Sequence, residues 1–124
     1  RLYPYFQIIR MAETDKFVFE LNDDEKSKLR CKLRTELEQL KSLMEAQLCD
    51  VLILDEAMGL IHSGMVTIDE LCSIIEIKPD NMELILTGRS APKEIIDRAD
   101  LVTEMKCIKH YCDVGVDARE GIEL

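Results

Sequence analysis

Short apolar runs alternate with helix patterns along this chain, and this alternation limits the possible folds more than any other feature. Runs rich in branched or aromatic residues predict strands at 5–11, 51–54, 82–86 and 101–108. The run at 51–54 is uninterrupted, as in a central strand that helices cover on both faces. Helix patterns separate the runs, an order typical of right-handed βαβ units. We therefore predict an α/β fold with a mostly parallel sheet flanked by helices.

The longest helix pattern begins after Asn22. This residue can cap a helix, and Asp23 and Asp24 place negative charge at the positive end of the helix dipole. Apolar residues then recur at steps of three or four positions, which places them along one helix face. They are Leu29, Leu33, Leu37, Leu40, Met44 and Leu48. One long helix with a single apolar stripe is predicted.

Two shorter helices are predicted farther along the chain. Thr67 and Glu70 form a capping box, and a helix runs from there towards Pro79 with its apolar face directed at the sheet. That face consists of Leu71, Ile74 and Ile75. Residues 90–92 open the second helix, which carries apolar residues at 95, 96 and 99.

Length and charge narrow the function classes. The 124 residues, 47% of them apolar, suffice for a single domain over 1–124. A formal net charge of −9 would repel phosphate backbones and anionic lipid, so we expect neither nucleic acid nor membrane as a partner. The chain begins at Arg1 without a signal peptide, and no apolar run approaches the ~18 residues of a membrane span. We expect it to begin inside a longer gene product.

The cysteines indicate a reducing compartment. There are five, an odd number, scattered through apolar pattern, which favours free thiols in a cytoplasmic protein. The spacing Cys107-x-x-His110-x-Cys112 could supply metal ligands, but a fourth ligand at a usual spacing is lacking. A structural zinc is therefore not favoured.

Two strand ends carry residues that could bind a nucleotide. Asp55 and Glu56 follow the run at 51–54 in a Walker B pattern, which places oxygen ligands where a Mg²⁺-phosphate complex can reach them. Thr87-Gly88-Arg89 follows the next strand, where a hydroxyl and a guanidinium could hold a triphosphate or a substrate carboxylate or amide. The structural alternative is a strand-end carboxylate, a helix cap and an ordinary turn. Phe17 and Phe19 would share one side of an extended segment, and most such pairs belong to a core.

Several separated motifs resemble, in order, the ATP:corrinoid (cob(I)alamin) adenosyltransferase family, whose fold is RecA-like. They are F-V-F-E at 17–20, D-V-L-I-L-D-E at 50–56 and L-I-L-T-G-R at 84–89. The ending resembles the family's closing pattern most specifically, with A-D-L-V-T-E at 99–104, K-H at 109–110, Asp113, Gly115, Ala118 and G-I at 121–122. The resemblance covers about 5–124 and implies the C-terminal part of a three-layer, P-loop-type α/β domain.

The resemblance implies transfer of the 5′-deoxyadenosyl group from ATP to the Co(I) of a reduced corrinoid, with release of triphosphate, in adenosylcobalamin biosynthesis or salvage. The expected small molecules are ATP, Mg²⁺ and the corrinoid, and the expected partners are a second copy in a homodimer and a flavoprotein reductant. The site residues implied are Asp55 and Glu56 for Mg²⁺, Thr87 and Arg89 for the nucleotide, and Phe17 and Phe19 where the corrinoid's lower ligand would sit. Phe19 stands where some members have Trp.

One departure from the family concerns phosphate binding. The 124 residues contain no G-x-x-x-x-G-K-[ST] loop, although the family places one near its N-terminus. We therefore expect this polypeptide to be the C-terminal portion of the enzyme, without the N-terminal P-loop unit, and to be inactive alone. Two alternatives stay open: a non-catalytic corrinoid-binding relative that has lost the loop, and an unrelated P-loop ATPase fragment. The ending at 109–122 argues against the second.

Overall fold

The computed structural model describes residues 3–122, and its elements follow the predicted order through the middle of the chain. The helices are α1 (Asp23–Glu45), α2 (Ala57–His62), α3 (Ile68–Glu76) and α4 (Lys93–Ile96), and the strands are β1 (Val51–Leu54) and β2 (Glu83–Leu86). Short 3-10 turns lie at Val18–Glu20 and Tyr111–Val114. Among residues 3–122 no helix has both the length and the apolar character needed to cross a membrane.

The two strands pair in parallel. Val51 lies opposite Glu83 and Leu54 lies opposite Leu86, so the strands are in register over four residues. A parallel pair requires a long crossover, and α2 and α3 provide it. The α/β class and the parallel pairing predicted from the sequence are confirmed.

Helix α1 supplies the largest part of the core. Its predicted stripe is buried from Leu29 to Met44, with Leu33 and Met44 both at 0% exposure. Burying each such side chain stabilises the fold by roughly 1.5–3 kcal/mol. Asn22 begins the helix as predicted, because its Oδ1 accepts from the Glu25 N–H at 2.9 Å. The stripe ends earlier than predicted: Leu48 lies beyond the end of α1 and is 73% exposed.

Helix α3 is tied to α1 by polar contacts as well as by the core. The Thr67 Oγ1 accepts from the Glu70 N–H at 3.1 Å, and the Glu70 carboxylate accepts from the Thr67 N–H at 2.8 Å, which confirms the capping box. Glu70 also pairs with the Arg34 guanidinium at 2.9 Å. The short helix α4 packs on the same unit, and Arg98 beyond it pairs with Glu76 of α3 at 3.2 Å.

One face of the sheet is open, which corrects the prediction that β1 is buried on both faces. The inward side chains pack against the core; they are Leu52, Leu54, Leu84 and Leu86. The outward side chains of Val51, Ile53 and Ile85 are 50%, 51% and 45% exposed. Successive strand residues point to opposite faces, and the helices that the structure describes cover only one of them.

The strands predicted at 5–11 and 101–108 are wrong, because the structure has no strand in either segment. Both segments are apolar yet exposed; Tyr5 is 97% exposed and Met105 is 94% exposed. A β-strand is stabilised by hydrogen bonds to a neighbouring strand, and within residues 3–122 the only strand pairing is that of β1 with β2. Strand propensity alone did not produce a strand.

Candidate functional site at the strand ends

The carboxyl ends of β1 and β2 lie side by side, and they bring three of the predicted site residues together. The Thr87 N–H donates to the Leu54 carbonyl at 3.1 Å, which extends the strand pairing by one residue. The Thr87 hydroxyl donates to Asp55 Oδ1 at 2.6 Å and accepts from the Glu56 N–H at 2.9 Å. Asp55, Glu56 and Thr87 therefore form one connected group, which we call the strand-end cluster.

Glu56 holds an unusual backbone conformation in this cluster. Its φ is 53°, in the left-handed region, and it forms the N-cap of α2. A non-glycine residue rarely adopts this conformation unless its surroundings hold it there. The carboxylate lies over the first turn of α2, since Oε2 is 4.0 Å from the position that a Cβ on Gly59 would take. Asp55 and Glu56 are both exposed, so both carboxylates are accessible to a ligand.

Gly88 brings the loop after β2 against α2. Its φ is 143°, and a Cβ built on it would lie 2.7 Å from the Met58 Cβ and 3.0 Å from the Met58 N. Real Cβ atoms do not approach other atoms this closely, so the packing of this loop against α2 requires glycine. The absence of a side chain at Gly88 therefore serves the packing between this loop and α2.

Arg89 follows this packed turn and takes no part in the hydrogen bonds of the strand-end cluster. It is exposed, and it forms no ion pair or hydrogen bond with any residue from 3 to 122. A guanidinium in this situation can bind an anion without first breaking a protein contact. The structure therefore places Arg89 beside the cluster in sequence but does not join it to the cluster.

The aromatic pair lies in a different part of the chain. Residues 18–20 form a 3-10 turn, so the segment is not extended, but the rings of Phe17 and Phe19 still stack with centroids 5.3 Å apart and planes 7° apart. They are 70% and 80% exposed. No hydrogen bond or ring contact that the structure describes joins the pair to the strand-end cluster. An exposed stacked pair presents a flat apolar surface.

The aromatic pair is held in place by contacts to the helix that follows it. Glu20 accepts from the Phe17 N–H at 2.9 Å, and Lys16 pairs with Glu25 of α1 at 2.7 Å. The hydrogen bonds of the Glu25 carboxylate with the Lys16 side chain and with the Asn22 backbone N–H lower the pKa of Glu25. Farther back, the Ala12 N–H donates to Glu36 of α1 at 2.9 Å. The chain that leads to the rings is therefore attached to α1 at Ala12 and at Lys16.

The Cys107, His110 and Cys112 side chains do not converge on a metal position. His110 Nδ1 accepts from the Cys112 N–H at 3.1 Å, and the Cys107 thiol contacts the Lys109 carbonyl at 3.4 Å. Throughout residues 3–122 no group of three or more His, Cys, Asp or Glu side chains is arranged to hold a metal ion. A cation at the strand-end cluster would therefore need ligands from a substrate or water.

Sequence reasoning identified the members of the strand-end cluster but missed how they are connected. Thr87 was assigned to the nucleotide, and the hydrogen bonds that join its hydroxyl to Asp55 Oδ1 and to the Glu56 N–H were not predicted. The left-handed backbone of Glu56 was also missed, as was α2, which has six residues and contains Gly59. One signal in the sequence pointed to their proximity: Asp55-Glu56 and Thr87-Gly88-Arg89 each directly follow a strand, and the carboxyl ends of adjacent parallel strands lie together.

The parallel strands, the crossover helices and the acids at the strand ends define an α/β unit that is consistent with part of a P-loop-type fold. The family model described as "ATP:corrinoid adenosyltransferase BtuR/CobO/CobP" matches residues 1–124, so the chain belongs to this family. The family predicted from the motifs is confirmed.

Individual relatives agree with this assignment. The chain is 32% identical over 83 residues to "Corrinoid adenosyltransferase CobA" of Salmonella typhimurium, a match that covers 67% of this chain and 42% of that protein. It is 34% identical over 88 residues to "Corrinoid adenosyltransferase" of Sinorhizobium sp, covering 70% and 41%. It is 26% identical over 107 residues to the protein of that name in Escherichia coli K12, covering 86% and 54%. The chain spans about half the length of the curated relatives it matches.

Proposed function

We propose that the protein containing this chain transfers the 5′-deoxyadenosyl group of ATP to the cobalt of a reduced corrinoid. The family match over residues 1–124 supports the reaction class. The observation that carries the proposal is the strand-end cluster, in which Thr87 links the acids after β1 to the end of β2. This is the edge of a parallel sheet at which ligands bind.

In the proposed reaction the Co(I) of the corrinoid substrate attacks the 5′ carbon of ATP. The cobalt–carbon bond forms with the electron pair of Co(I), the carbon–oxygen bond to the triphosphate breaks, and triphosphate leaves with that bond's electron pair. No proton has to be moved, so the protein needs no general base. Its task is to position the two substrates and to stabilise the charge of the leaving group.

The acids of the strand-end cluster fit a magnesium ion that is bound partly by substrate. Mg²⁺ is usually held by one or two carboxylates together with phosphate oxygens and water, and Asp55 and Glu56 are adjacent, exposed carboxylates. When bound, Mg²⁺ supplies positive charge that stabilises the departing triphosphate. The carboxylates hold the cation, and Arg89 in the turn at 87–89 is available for a phosphate of the nucleotide.

The aromatic pair fits the corrinoid. Phe17 and Phe19 offer an exposed stacked surface that can replace the lower ligand of the cobalt and exclude water from it. Removing that ligand leaves the cobalt's electron pair available for attack. The pair acts by shape and apolar character, so Phe19 can serve where a larger aromatic residue would.

We also propose that the 124 residues alone do not catalyse the reaction. They contain no G-x-x-x-x-G-K-[ST] sequence to supply backbone donors to the triphosphate, and one sheet face is open. The complete enzyme acts as a homodimer and receives electrons for the corrinoid from a flavoprotein. The competing function is that of a non-catalytic corrinoid-binding relative.

The test uses the complete reading frame that contains this chain, beside the 124-residue chain itself. Each is mixed with ATP, Mg²⁺ and chemically reduced cobalamin, and the visible spectrum reports conversion of Co(I) to the alkylated product. We expect turnover only for the complete protein. Glu56→Gln should lower kcat/KM by more than roughly tenfold. Loss of a residue that only orients a metal ligand already costs about that much, and Glu56 is proposed as a ligand itself. Glu45→Gln, at the exposed end of α1, is the matched control and should retain full activity.

The outcomes separate the two functions. Corrinoid binding by the complete protein without turnover would favour the non-catalytic relative. Turnover by the 124-residue chain alone would contradict the proposed need for a phosphate loop. Equal activity of Glu56→Gln and Glu45→Gln would remove Glu56 from the metal site.

A further inference from the structure

We propose that Thr87 is a positioning residue for the metal-binding acids and does not itself donate a hydrogen bond to the phosphates of the nucleotide. The inference rests on the proposed function, since it assigns Asp55 and Glu56 to a divalent cation. It assigns the hydroxyl of Thr87 a task that the motif T-G-R alone does not suggest.

The hydrogen-bonding capacity of the hydroxyl carries the argument. A threonine hydroxyl has one hydrogen to donate and two lone pairs to accept with. An ionised carboxylate can only accept, so the contact of 2.6 Å to Asp55 Oδ1 uses the hydrogen. A backbone N–H can only donate, so the contact of 2.9 Å from Glu56 uses one lone pair. A phosphate oxygen needs a donor, and Thr87 has none left while it holds Asp55.

The backbone of Thr87 is fixed, which makes it a suitable anchor. Its N–H donates to the Leu54 carbonyl at 3.1 Å, as a continuation of the sheet. Its side chain is β-branched and therefore has few rotamers. The contact to Asp55 has the length of a charge-assisted O–H···O⁻ hydrogen bond, which is stronger than a neutral one. A rigid donor thus sets the orientation of the Asp55 carboxylate.

Two consequences follow for the cation. With one lone pair of Oδ1 used by Thr87, Oδ2 is the oxygen of Asp55 that keeps both lone pairs for a metal ion. Thr87 also holds the N–H of Glu56, whose left-handed backbone, at φ 53°, determines where that carboxylate begins. One hydroxyl therefore orients both acids.

The experiment measures cation affinity with Mn²⁺ as the probe, by electron paramagnetic resonance, in the complete protein with ATP present. Thr87→Val keeps the side-chain shape and removes the hydroxyl, and we expect it to weaken Mn²⁺ binding about 10- to 100-fold, as loss of an outer-shell partner does. Thr87→Ser keeps the hydroxyl and should bind within about threefold of the wild type. Thr35→Val, on the exposed side of α1, is the matched control and should bind as the wild type does.

A second pair of variants tests whether Thr87 acts through Asp55. In an Asp55→Asn background, Thr87→Val should cause much less further loss of Mn²⁺ affinity than it causes alone, because residues that act together are not additive. Thr87→Ala removes the hydroxyl without adding a methyl group in its place. It should show the same loss as Thr87→Val, and it replaces that variant if valine prevents folding.

Four results would overturn the inference. The first is unchanged Mn²⁺ affinity in Thr87→Val with weaker binding of metal-free ATP, which would mean direct contact with the nucleotide. The second is a lower thermal midpoint with unchanged Mn²⁺ affinity, which would mean a structural role only. The third, no binding of Mn²⁺ with ATP and no adenosylation by the wild type, would overturn the proposed function as well. A wild type that turns over, beside an unaffected Thr87→Val, would overturn this inference alone.

Discussion

Replacing Gly88 with alanine should destabilise the protein more than the same change at Gly64. Both glycines have positive φ, 143° and 67°, so both substitutions strain the backbone. The two positions differ in the room available for an added methyl group. A Cβ on Gly88 would lie 2.7 Å from the Met58 Cβ and 3.0 Å from the Met58 N, whereas a Cβ on Gly64 would lie 3.8 Å from its nearest neighbour, Arg30 Nη2. The Cβ and N of Met58 cannot rotate away, so the loop after β2 must move.

The expected losses of stability follow from two contributions, the strained backbone and the steric overlap with Met58. Overpacking costs about 1–3 kcal/mol, and a strained backbone conformation costs about 1–3 kcal/mol, so Gly88→Ala should lower the free energy of unfolding by roughly 2–6 kcal/mol. Gly64→Ala carries only the backbone term, about 1–2 kcal/mol. Since a typical domain is stable by about 5–15 kcal/mol, the first substitution approaches the limit of folding.

The assay is urea unfolding followed by far-ultraviolet circular dichroism, with wild type, Gly88→Ala and Gly64→Ala compared at one temperature. The midpoint should fall further for Gly88→Ala while the slope stays constant, because the surface exposed on unfolding is unchanged. Equal losses for the two variants would refute the reasoning. That result would mean that the contact between Gly88 and Met58 does not constrain the loop.

Three further predictions concern the core and the caps. Leu33→Ala should lower the free energy of unfolding by about 2–5 kcal/mol, because the side chain is fully buried, whereas Leu48→Ala should change it by no more than about 0.5 kcal/mol; similar urea midpoints would contradict the burial assignment. Thr67→Ala should lower it by about 0.5–2 kcal/mol through loss of the N-cap of α3, and an unchanged midpoint would mean that the cap does not stabilise this helix. The backbone hydrogen bond from Thr67 and the contact with Arg34 lower the pKa of Glu70 below its ordinary 4.5, so its stabilisation is present above that pH and is lost as the pH falls through the lowered value. Glu70→Gln should weaken the pH dependence of thermal midpoints below about pH 4.5, and identical profiles would exclude Glu70 as a source of acid sensitivity.

Local sequence signals predicted the elements that they are able to encode. The stripe of α1 from Leu29 to Met44, the cap at Asn22 and the capping box at Thr67 depend on residues three or four positions apart, and the structure has all of them. The strands at 51–54 and 82–86 were also correct to within one residue. In each case an apolar face or a cap was specified by neighbours along the chain.

Features that depend on distant segments were predicted less well. The runs at 5–11 and 101–108 have strand composition but no strand partner among residues 3–122. Burial of both faces of β1 was inferred from an apolar run, but that pattern describes the strand and not what covers it. The same limit applies to the site: Asp55 and Thr87 were both identified, while the hydrogen bond between them spans 32 positions and no local pattern encodes it.

The open sheet face also governs how the isolated chain should behave in concentrated solution. Val51, Ile53 and Ile85 form an apolar surface, and β1 and β2 each leave one edge unpaired within residues 3–122, so copies of the chain have a template for association. The net charge of −9 opposes this association by mutual repulsion. Salt weakens this repulsion, because at 0.1 M ionic strength exposed charges farther apart than the Debye length of about 10 Å are largely screened. The 124-residue chain should therefore stay dispersed in dilute buffer and lose colloidal stability as salt is added.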